Sequence, residues 1–313
     1  MLRLVTQALP NRTRLALSRT DMGGKTMMTK TGKKTAKPKA RAKPVKAMPV
    51  AKIEQPALAT PYTQEQMLEV CRLVKGATSV ELKLSVPASG HRATTEGIGF
   101  DPVEAEPRQA FFFDTPDLAL SRAGVVVRAR RLPGGDADTV VKLRPVIPFT
   151  IDPELCRSAA FKIEVDAMPG GFVCSASFKG VCTGQEVLDA TAGALPLRKL
   201  FSKEQRAFYD AHAPAGVTMD QLVVLGPTFL LKVKHQPKDF DRRVTIEMWL
   251  YPDGSRIMEI STKCAPKEAF QVAAEFKAYL ADHGIALAAD QSAKTKTALE
   301  FYSAALEEEV LAG

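Results

Sequence analysis

Five stretches of this chain alternate charged and apolar residues with a period of two. In 79–86, Glu81 and Lys83 share one face, and the valines and leucines between them share the other. A period of two predicts β-strands, because successive side chains of a strand point to opposite faces. The pattern recurs in four further stretches, 124–131, 138–145, 160–167 and 255–262.

The charges on these strands are sorted rather than mixed at random. On the charged face, stretch 124–131 presents Arg128 and Arg130 and stretch 138–145 presents Lys142 and Arg144, whereas the others combine acids with lysine. Exposure to solvent would explain any single strand, but solvated faces are usually filled by threonine, glutamine and serine. Sorted charge favours a closed barrel with charged walls inside and apolar walls outside. Burying so many charges is costly unless a charged ligand compensates them.

The predicted fold class is α+β, a closed antiparallel eight-stranded β-barrel with flanking helices. The segments with a strand pattern, separated by turn signals, lie near 79–86, 109–114, 124–131, 138–145, 160–167, 221–226, 229–235, 242–250 and 255–262. Helical spacing of apolar residues predicts three helices, one beginning near Tyr62 and two over about 266–283 and 290–311.

The first 60 residues have a different composition from the rest. They hold fourteen Lys or Arg, two acids and no aromatic residue, so their net charge is +12, while 61–313 carry −4. Such a segment cannot bury enough apolar surface to fold, which predicts a disordered Lys/Ala/Pro-rich tail over 1–60 and one folded domain over 61–313. The basic charge allows weak contact with polyanions, and a solubilising extension is the alternative.

The cysteines and the hydropathy pattern bear on the compartment. Five scattered cysteines, an odd number in a chain of this size, predict reduced thiols in a cytoplasmic protein. No 18-residue run lacks charged or polar residues, so we expect no membrane span.

The charged faces indicate a class of ligand. Several converging arginines and lysines are typical of a site for a polyanion, since guanidinium groups match phosphate oxygens. Carboxylates among them suggest a hard divalent cation, Mg²⁺ or Mn²⁺. Together they predict phosphoryl or nucleotidyl transfer, in which positioning and charge neutralisation do most of the catalysis.

Three segments resemble the CYTH-domain proteins, the triphosphate tunnel metalloenzymes. Ser79-Val-Glu81-Leu-Lys83 resembles the family's ExExK strand. The stretch Phe113-Asp-Thr-Pro-Asp-Leu118, with Leu120, Gly124 and Arg128-Ala-Arg130, is similar to the segment FDTPDLxLxxxGxxLRxR. Thr139-Val-Val-Lys142-Leu-Arg144 looks like the strand TxKxR that follows it. The resemblance spans about 77–263, and the segment from Phe113 to Arg130 is its most specific part.

The resemblance implies an antiparallel eight-stranded tunnel that binds a triphosphate. Family members hydrolyse inorganic triphosphate, thiamine triphosphate or RNA 5′-triphosphates, or cyclise ATP. It implies catalytic roles for Lys83, Arg128 and Arg130. It also implies that these three bind phosphate together with Lys142, Arg144, Lys203, Arg206 and Lys232. Mg²⁺ or Mn²⁺ would be held by Glu81, Glu164, Asp166, Glu247 and Glu259.

Two positions depart from the family pattern. Ser79 stands where the first glutamate of ExExK is expected, and Ser261 stands where an acid is expected two residues after Glu259. Each serine removes a candidate metal ligand and should lower metal affinity. Three functions therefore stay open: a metal-dependent triphosphatase, an adenylyl cyclase, and a non-catalytic module that binds polyphosphate or nucleotide.

Overall fold

A closed β-barrel dominates the computed structural model, which describes residues 63–169, 171–288 and 294–312. The predictions made for 1–60 lie outside these residues. The described part contains nine strands: β1 Ser79–Val86, β2 Glu106–Asp114, β3 Val125–Arg131, β4 Asp136–Leu143, β5 Phe161–Met168, β6 Gly171–Thr183, β7 Val223–His235, β8 Val244–Leu250 and β9 Arg256–Cys264.

The strands close in the order β1-β5-β6-β4-β3-β2-β7-β8-β9, and β9 pairs with β1. Eight of the nine pairings are antiparallel, whereas β1 and β5 are parallel. The predicted closed barrel and α+β class are confirmed. The predicted count of eight strands and the all-antiparallel arrangement are wrong.

Two local features explain the difference. β6 begins at Gly171 and carries serine, alanine and apolar residues with no alternation of charge over its first half, so it was not among the predicted strands. Stretches 221–226 and 229–235 form the single strand β7, although Pro227 suggested a break. The β2–β7 register shifts between Ala110 and Phe112, and a proline is tolerated at such a bulge.

Eight α-helices accompany the barrel in the described residues: α1 Gln64–Gly76, α2 His91–Ile98, α3 Ala119–Arg122, α4 Gly184–Thr191, α5 Leu197–Leu200, α6 Lys203–Asp210, α7 Ala269–Asp282 and α8 Lys294–Ala312. None of these helices combines the length and the hydropathy that a membrane span requires.

The apolar faces of the strands form a large core against the helices. Val80, Val127 and Val141, which alternate with charged residues, are fully buried there with Val74 of α1 and Phe276 of α7. Burial of this outward face under helices leaves the charged face of each strand pointing into the barrel.

A second, smaller core lies on the inner face at one end of the barrel. Phe112, Leu230 and Trp249 pack there against Ala298 and Leu299 of α8. Helix α8 therefore covers one end of the barrel, and its first residue lies next to the charged interior.

Candidate functional site

Strand register brings the charged side chains to one face. Arg130 of β3 pairs with Asp138 of β4, and Glu247 of β8 pairs with Glu259 of β9. Residues directly opposite in an antiparallel pair point to the same side of the sheet. Since the same relation holds around a closed barrel, the charged residues of successive strands share its interior.

One side of the interior, which we call the acidic wall, comprises the carboxylates predicted to bind metal: Glu81, Glu164, Asp166, Glu247 and Glu259. The ammonium of Lys83 lies 3.2 Å from Glu81 and 2.9 Å from Asp166, so it bridges two of them. Arg144, just past β4, is 3.1 Å from the second oxygen of Asp166. Burial alone lowers the pKa of Lys83, but the fields of these carboxylates raise it above its ordinary value.

The serines that replace expected acids belong to the same wall. Ser261 donates a hydrogen bond to Glu81 at 3.1 Å, and Ser79 donates one to Glu164 at 3.4 Å. Lys263 contacts Glu164 at 2.7 Å and Glu81 at 3.6 Å. The hydroxyls of Ser261 and Ser79 thus donate hydrogen bonds to Glu81 and Glu164. Acids at these two positions would instead repel those carboxylates.

The pair Glu247 and Glu259 is neutralised from two elements. Lys232 of β7 lies 2.7 Å from Glu247, and Lys294 of α8 lies 2.6 Å from Glu247 and 2.7 Å from Glu259. The indole N–H of Trp249 donates to Glu247 at 3.1 Å. Burial would raise the pKa of Glu247, but the two ammonium groups hold it well below its usual range.

The opposite side of the interior, the basic wall, comprises Arg128, Arg130 and Lys142 of β3 and β4. Arg130 donates to Asp138 at 2.7 Å. Arg128 comes only within 4.0 Å of Asp138, and its Nε is buried without a hydrogen-bond partner. Lys142 has no carboxylate within ion-pair distance in the described part of the chain. This wall carries positive charge that the protein itself leaves poorly compensated.

Burial acts directly on these cations. Burial, helped by the charge of neighbouring Arg130, lowers the pKa of Arg128 to about 10. It lowers the pKa of Lys142 to about 8, against the opposing field of Asp166. An anion placed between these groups would reverse both shifts by stabilising their charged forms.

The motif between Phe113 and Arg130 positions this wall. The carboxylate of Asp114 accepts hydrogen bonds from the backbone N–H groups of Leu120 and Ser121 at 2.8 and 2.9 Å, which fixes α3 at the end of β2. Gly124 has φ +74°, and a Cβ there would lie 2.6 Å from the carbonyl oxygen of Arg144. The turn therefore sets where β3 begins, and with it the positions of its arginines.

Two predicted phosphate ligands lie elsewhere. Lys203 and Arg206 belong to helix α6, outside the barrel, and not to a strand. Ser202 begins this helix through a capping box with Gln205. Lys203 is exposed, and Arg206 donates to the backbone carbonyl of Phe201 at 2.7 Å. Their assignment as tunnel residues is therefore corrected.

Sequence reasoning missed several residues of the interior, among them Asp138 and Lys294. Asp138 shares the inward face of β4 with Lys142. The available signal was its spacing, because a residue four positions before Lys142 in a strand points to the same side. Lys294 had no such signal, because its place depends on how α8 packs against the end of the barrel.

The predicted metal ligands do not form a metal cage. Each of the five carboxylates of the acidic wall contacts at least one lysine ammonium. Within the described ranges, no group of three or more Asp, Glu, His or Cys residues has an arrangement suited to a metal ion. At least one oxygen of each candidate metal ligand is thus engaged by a lysine of the protein.

The fold is shared with solved structures. The candidate adenylyl cyclase HpAC1 from Hippeastrum, reported to have a dominant triphosphatase activity, aligns with a TM-score of 0.53 and 16% identity over 69% of this chain and 92% of its own. A candidate adenylate cyclase from Bacillus halodurans aligns with a TM-score of 0.50 and 14% identity, over 70% and 97%.

The resemblance predicted from the sequence is thus confirmed at the level of the fold. No family model matches the chain. No curated protein matches its sequence. At 14–16% identity, the fold is shared while most side chains differ.

Proposed function

We propose that this chain binds a triphosphate inside the barrel and hydrolyses it. The observation that carries the proposal is the basic wall, where Arg128 and Lys142 are half-buried with no close carboxylate of their own. Buried cations without partners cost folding free energy. A polyanion that enters the barrel supplies the missing partners, and charge-assisted hydrogen bonds from guanidinium to phosphate are strong.

The roles follow from position. Arg128, Arg130 and Lys142 grip phosphate oxygens, and Arg144 and Lys232 flank them at the junctions with the acidic wall. Lys83 is held by Glu81 and Asp166 and keeps the opposite wall from repelling the ligand. Water attacks the terminal phosphorus, the bond to the bridging oxygen breaks, and the cations stabilise the charge that develops on the leaving diphosphate.

The divalent cation enters this proposal with the substrate. Mg²⁺ is usually bound by one or two carboxylates together with substrate phosphates, and it keeps several waters. The substrate is therefore a triphosphate presented as its Mg²⁺ or Mn²⁺ complex. This fits an interior whose carboxylates already have lysine partners.

The shared fold supports the choice of reaction. The Hippeastrum protein has a dominant triphosphatase activity by its published description. Its alignment covers 69% of this chain, and the basic wall of this chain supplies groups that such a reaction needs. ATP cyclisation is the alternative reaction on the same fold. Detection of cyclic AMP as a product would identify it.

A second candidate is a binding module that does not turn over its ligand. The observation that favours it is the pairing of every carboxylate of the acidic wall with lysine, which leaves none of them free to activate water. The same contacts with phosphate would then serve recognition alone.

One screen separates these functions. The protein is incubated with tripolyphosphate, thiamine triphosphate, ATP and GTP, each with Mg²⁺ and with Mn²⁺, and orthophosphate and cyclic AMP are measured. We expect the wild type to release orthophosphate from at least one substrate and the Arg128→Met variant to release none. The control is Arg122→Met, at an exposed arginine of α3, and its orthophosphate release should equal that of the wild type. Cyclic AMP as the main product supports the cyclase. Saturable binding without either product supports the binding module.

We also propose that residues 61–313 carry this activity and that the basic segment 1–60 adds only weak contact with polyanions, in a cytoplasmic protein. Deletion of 1–60 should leave orthophosphate release unchanged and reduce retention on heparin at low salt. Loss of turnover on deletion would contradict this division of roles.

A further inference from the structure

Lys294 lies in an unusual position for a lysine at the start of a helix. Its ammonium is 2.6 Å from Glu247 and 2.7 Å from Glu259, and 5.1 Å from the centre of the Trp249 ring. Only 14% of its side chain is exposed. The nitrogen therefore sits between two carboxylates and faces an aromatic ring, the surroundings of a bound cation.

The two carboxylates need such a cation. Glu247 and Glu259 are directly opposite each other on β8 and β9, and both are buried. Like charges at opposite positions repel, and burial strengthens the repulsion because water no longer screens it. Lys232 reaches only Glu247. Among the described residues, Lys294 is the cation within 4 Å of Glu259.

Helix α8 is fixed where it delivers this charge. Tyr251 donates a hydrogen bond to the carbonyl oxygen of Lys294 at 3.0 Å, and Ser303 donates one to the carbonyl oxygen of Pro116 at 2.8 Å. Ala298 and Leu299 are buried in the inner core. Because the helix is packed from Lys294 to Ser303, withdrawal of Lys294 would require this packing to open.

We propose that Lys294 is a built-in counter-cation that takes the place of a divalent metal ion between Glu247 and Glu259. With Lys232, it makes this part of the acidic wall neutral, so the wall needs no resident metal to accept a polyanion. Lys294 is a positioning residue, since its N–H groups are directed to carboxylates. The effect of Lys294 on polyanion binding rests on the proposed triphosphate site. The exclusion of a metal ion from the Glu247–Glu259 pair is independent of that site.

The test uses Trp249, the only tryptophan of the chain. Mn²⁺ is paramagnetic and quenches an indole that it approaches closely, and an ion bound by Glu247 would lie beside the indole that donates to that residue. Mn²⁺ is titrated into the full-length protein without any triphosphate while fluorescence is recorded. Mg²⁺ is then added as a diamagnetic competitor.

We expect Lys294→Met to show saturable quenching that Mg²⁺ reverses. Its apparent affinity for Mn²⁺ should exceed that of the wild type at least about tenfold, or ~1.4 kcal/mol of binding free energy. Lys294→Arg should behave like the wild type, because it restores the charge. Lys296→Met is the matched control, since Lys296 lies in α8 with a 72% exposed side chain. It too should behave like the wild type.

Equal Mn²⁺ affinity in the wild type and Lys294→Met would overturn the proposal. If Lys294→Met fails to fold, the wild type alone decides. Saturable quenching of the wild type that Mg²⁺ reverses contradicts the proposal, and the absence of such quenching supports the proposal. Because no triphosphate is present, this outcome is independent of whether the chain hydrolyses one.

Discussion

The two walls of the barrel interior use charge in opposite ways. On the acidic wall, each carboxylate has a lysine partner, and Lys83 and Lys294 each bridge two of them. On the basic wall, Arg128 and Lys142 have no comparably close acid among the described residues. The comparison indicates that the acidic wall is compensated within the protein, whereas the basic wall is arranged for an anion from outside.

The largest expected effect is on stability and belongs to the acidic wall. Lys83→Met removes the ammonium that Glu81 and Asp166 share and leaves them only Lys263 and Arg144, so the free energy of unfolding should fall by ~3 kcal/mol. Urea denaturation measures the change. Lys277→Met, at an exposed lysine of α7, is the control and should stay within ~0.5 kcal/mol of the wild type. If both variants are equally stable, the lysines of the acidic wall are not structural.

The basic wall should give the opposite result. Arg128→Met removes a guanidinium that the protein compensates poorly, so unfolding should require as much denaturant as in the wild type, or more. Tripolyphosphate affinity should fall about 10- to 100-fold, because hydrogen bonds to charged groups are worth ~1.5–3 kcal/mol. Calorimetric titration measures this, with Arg122→Met as the control. Unchanged affinity would remove the distinction between the walls.

A pH titration sharpens the comparison further. Burial lowers the pKa of Lys142 to about 8, with Asp166 and Glu164 acting against it and Lys83 and Arg144 with it. The amine is charged below that pH and neutral above it, so tripolyphosphate binding should weaken between about pH 7 and 9. Phosphate groups also titrate, so the measured quantity is the difference from Lys142→Met. A parallel pH profile in that variant would contradict the assignment.

The smallest effect is expected outside the barrel. Lys203 was predicted to bind phosphate, but it is exposed on α6. Lys203→Met should therefore leave tripolyphosphate affinity and orthophosphate release unchanged. A loss comparable to that of Arg128→Met would mean that the ligand binds at the outer surface near α6, and the interior walls would lose their proposed role.

The sequence predicted the features that depend on local alternation. The charged faces of β1, β3, β4, β5 and β9 could be recognised because each strand is buried under helices on its apolar face, which forces a period of two. The parallel pairing of β1 with β5 could not be recognised, since it depends on which edges meet when the barrel closes. Strand β6 lacks the alternating charge, so it was missed.

The residues of the candidate site could be predicted where they follow the same alternation. Arg128, Arg130 and Lys142 lie on faces that the alternation defines, and register places them together. The pairing of acids with lysines was not predictable, because it joins strands distant in sequence, as when Lys263 reaches Glu164. Lys203 was predicted to bind phosphate in the tunnel, but it lies in helix α6, which Ser202 caps.

A crystal structure of the protein with tripolyphosphate tests the central claim most directly. The account predicts three phosphorus peaks inside the barrel, with Arg128, Arg130 and Lys142 in contact with phosphate oxygens and Lys294 still between Glu247 and Glu259. Phosphate density confined to the outer surface, or Arg128 and Lys142 directed away from the interior, would contradict it.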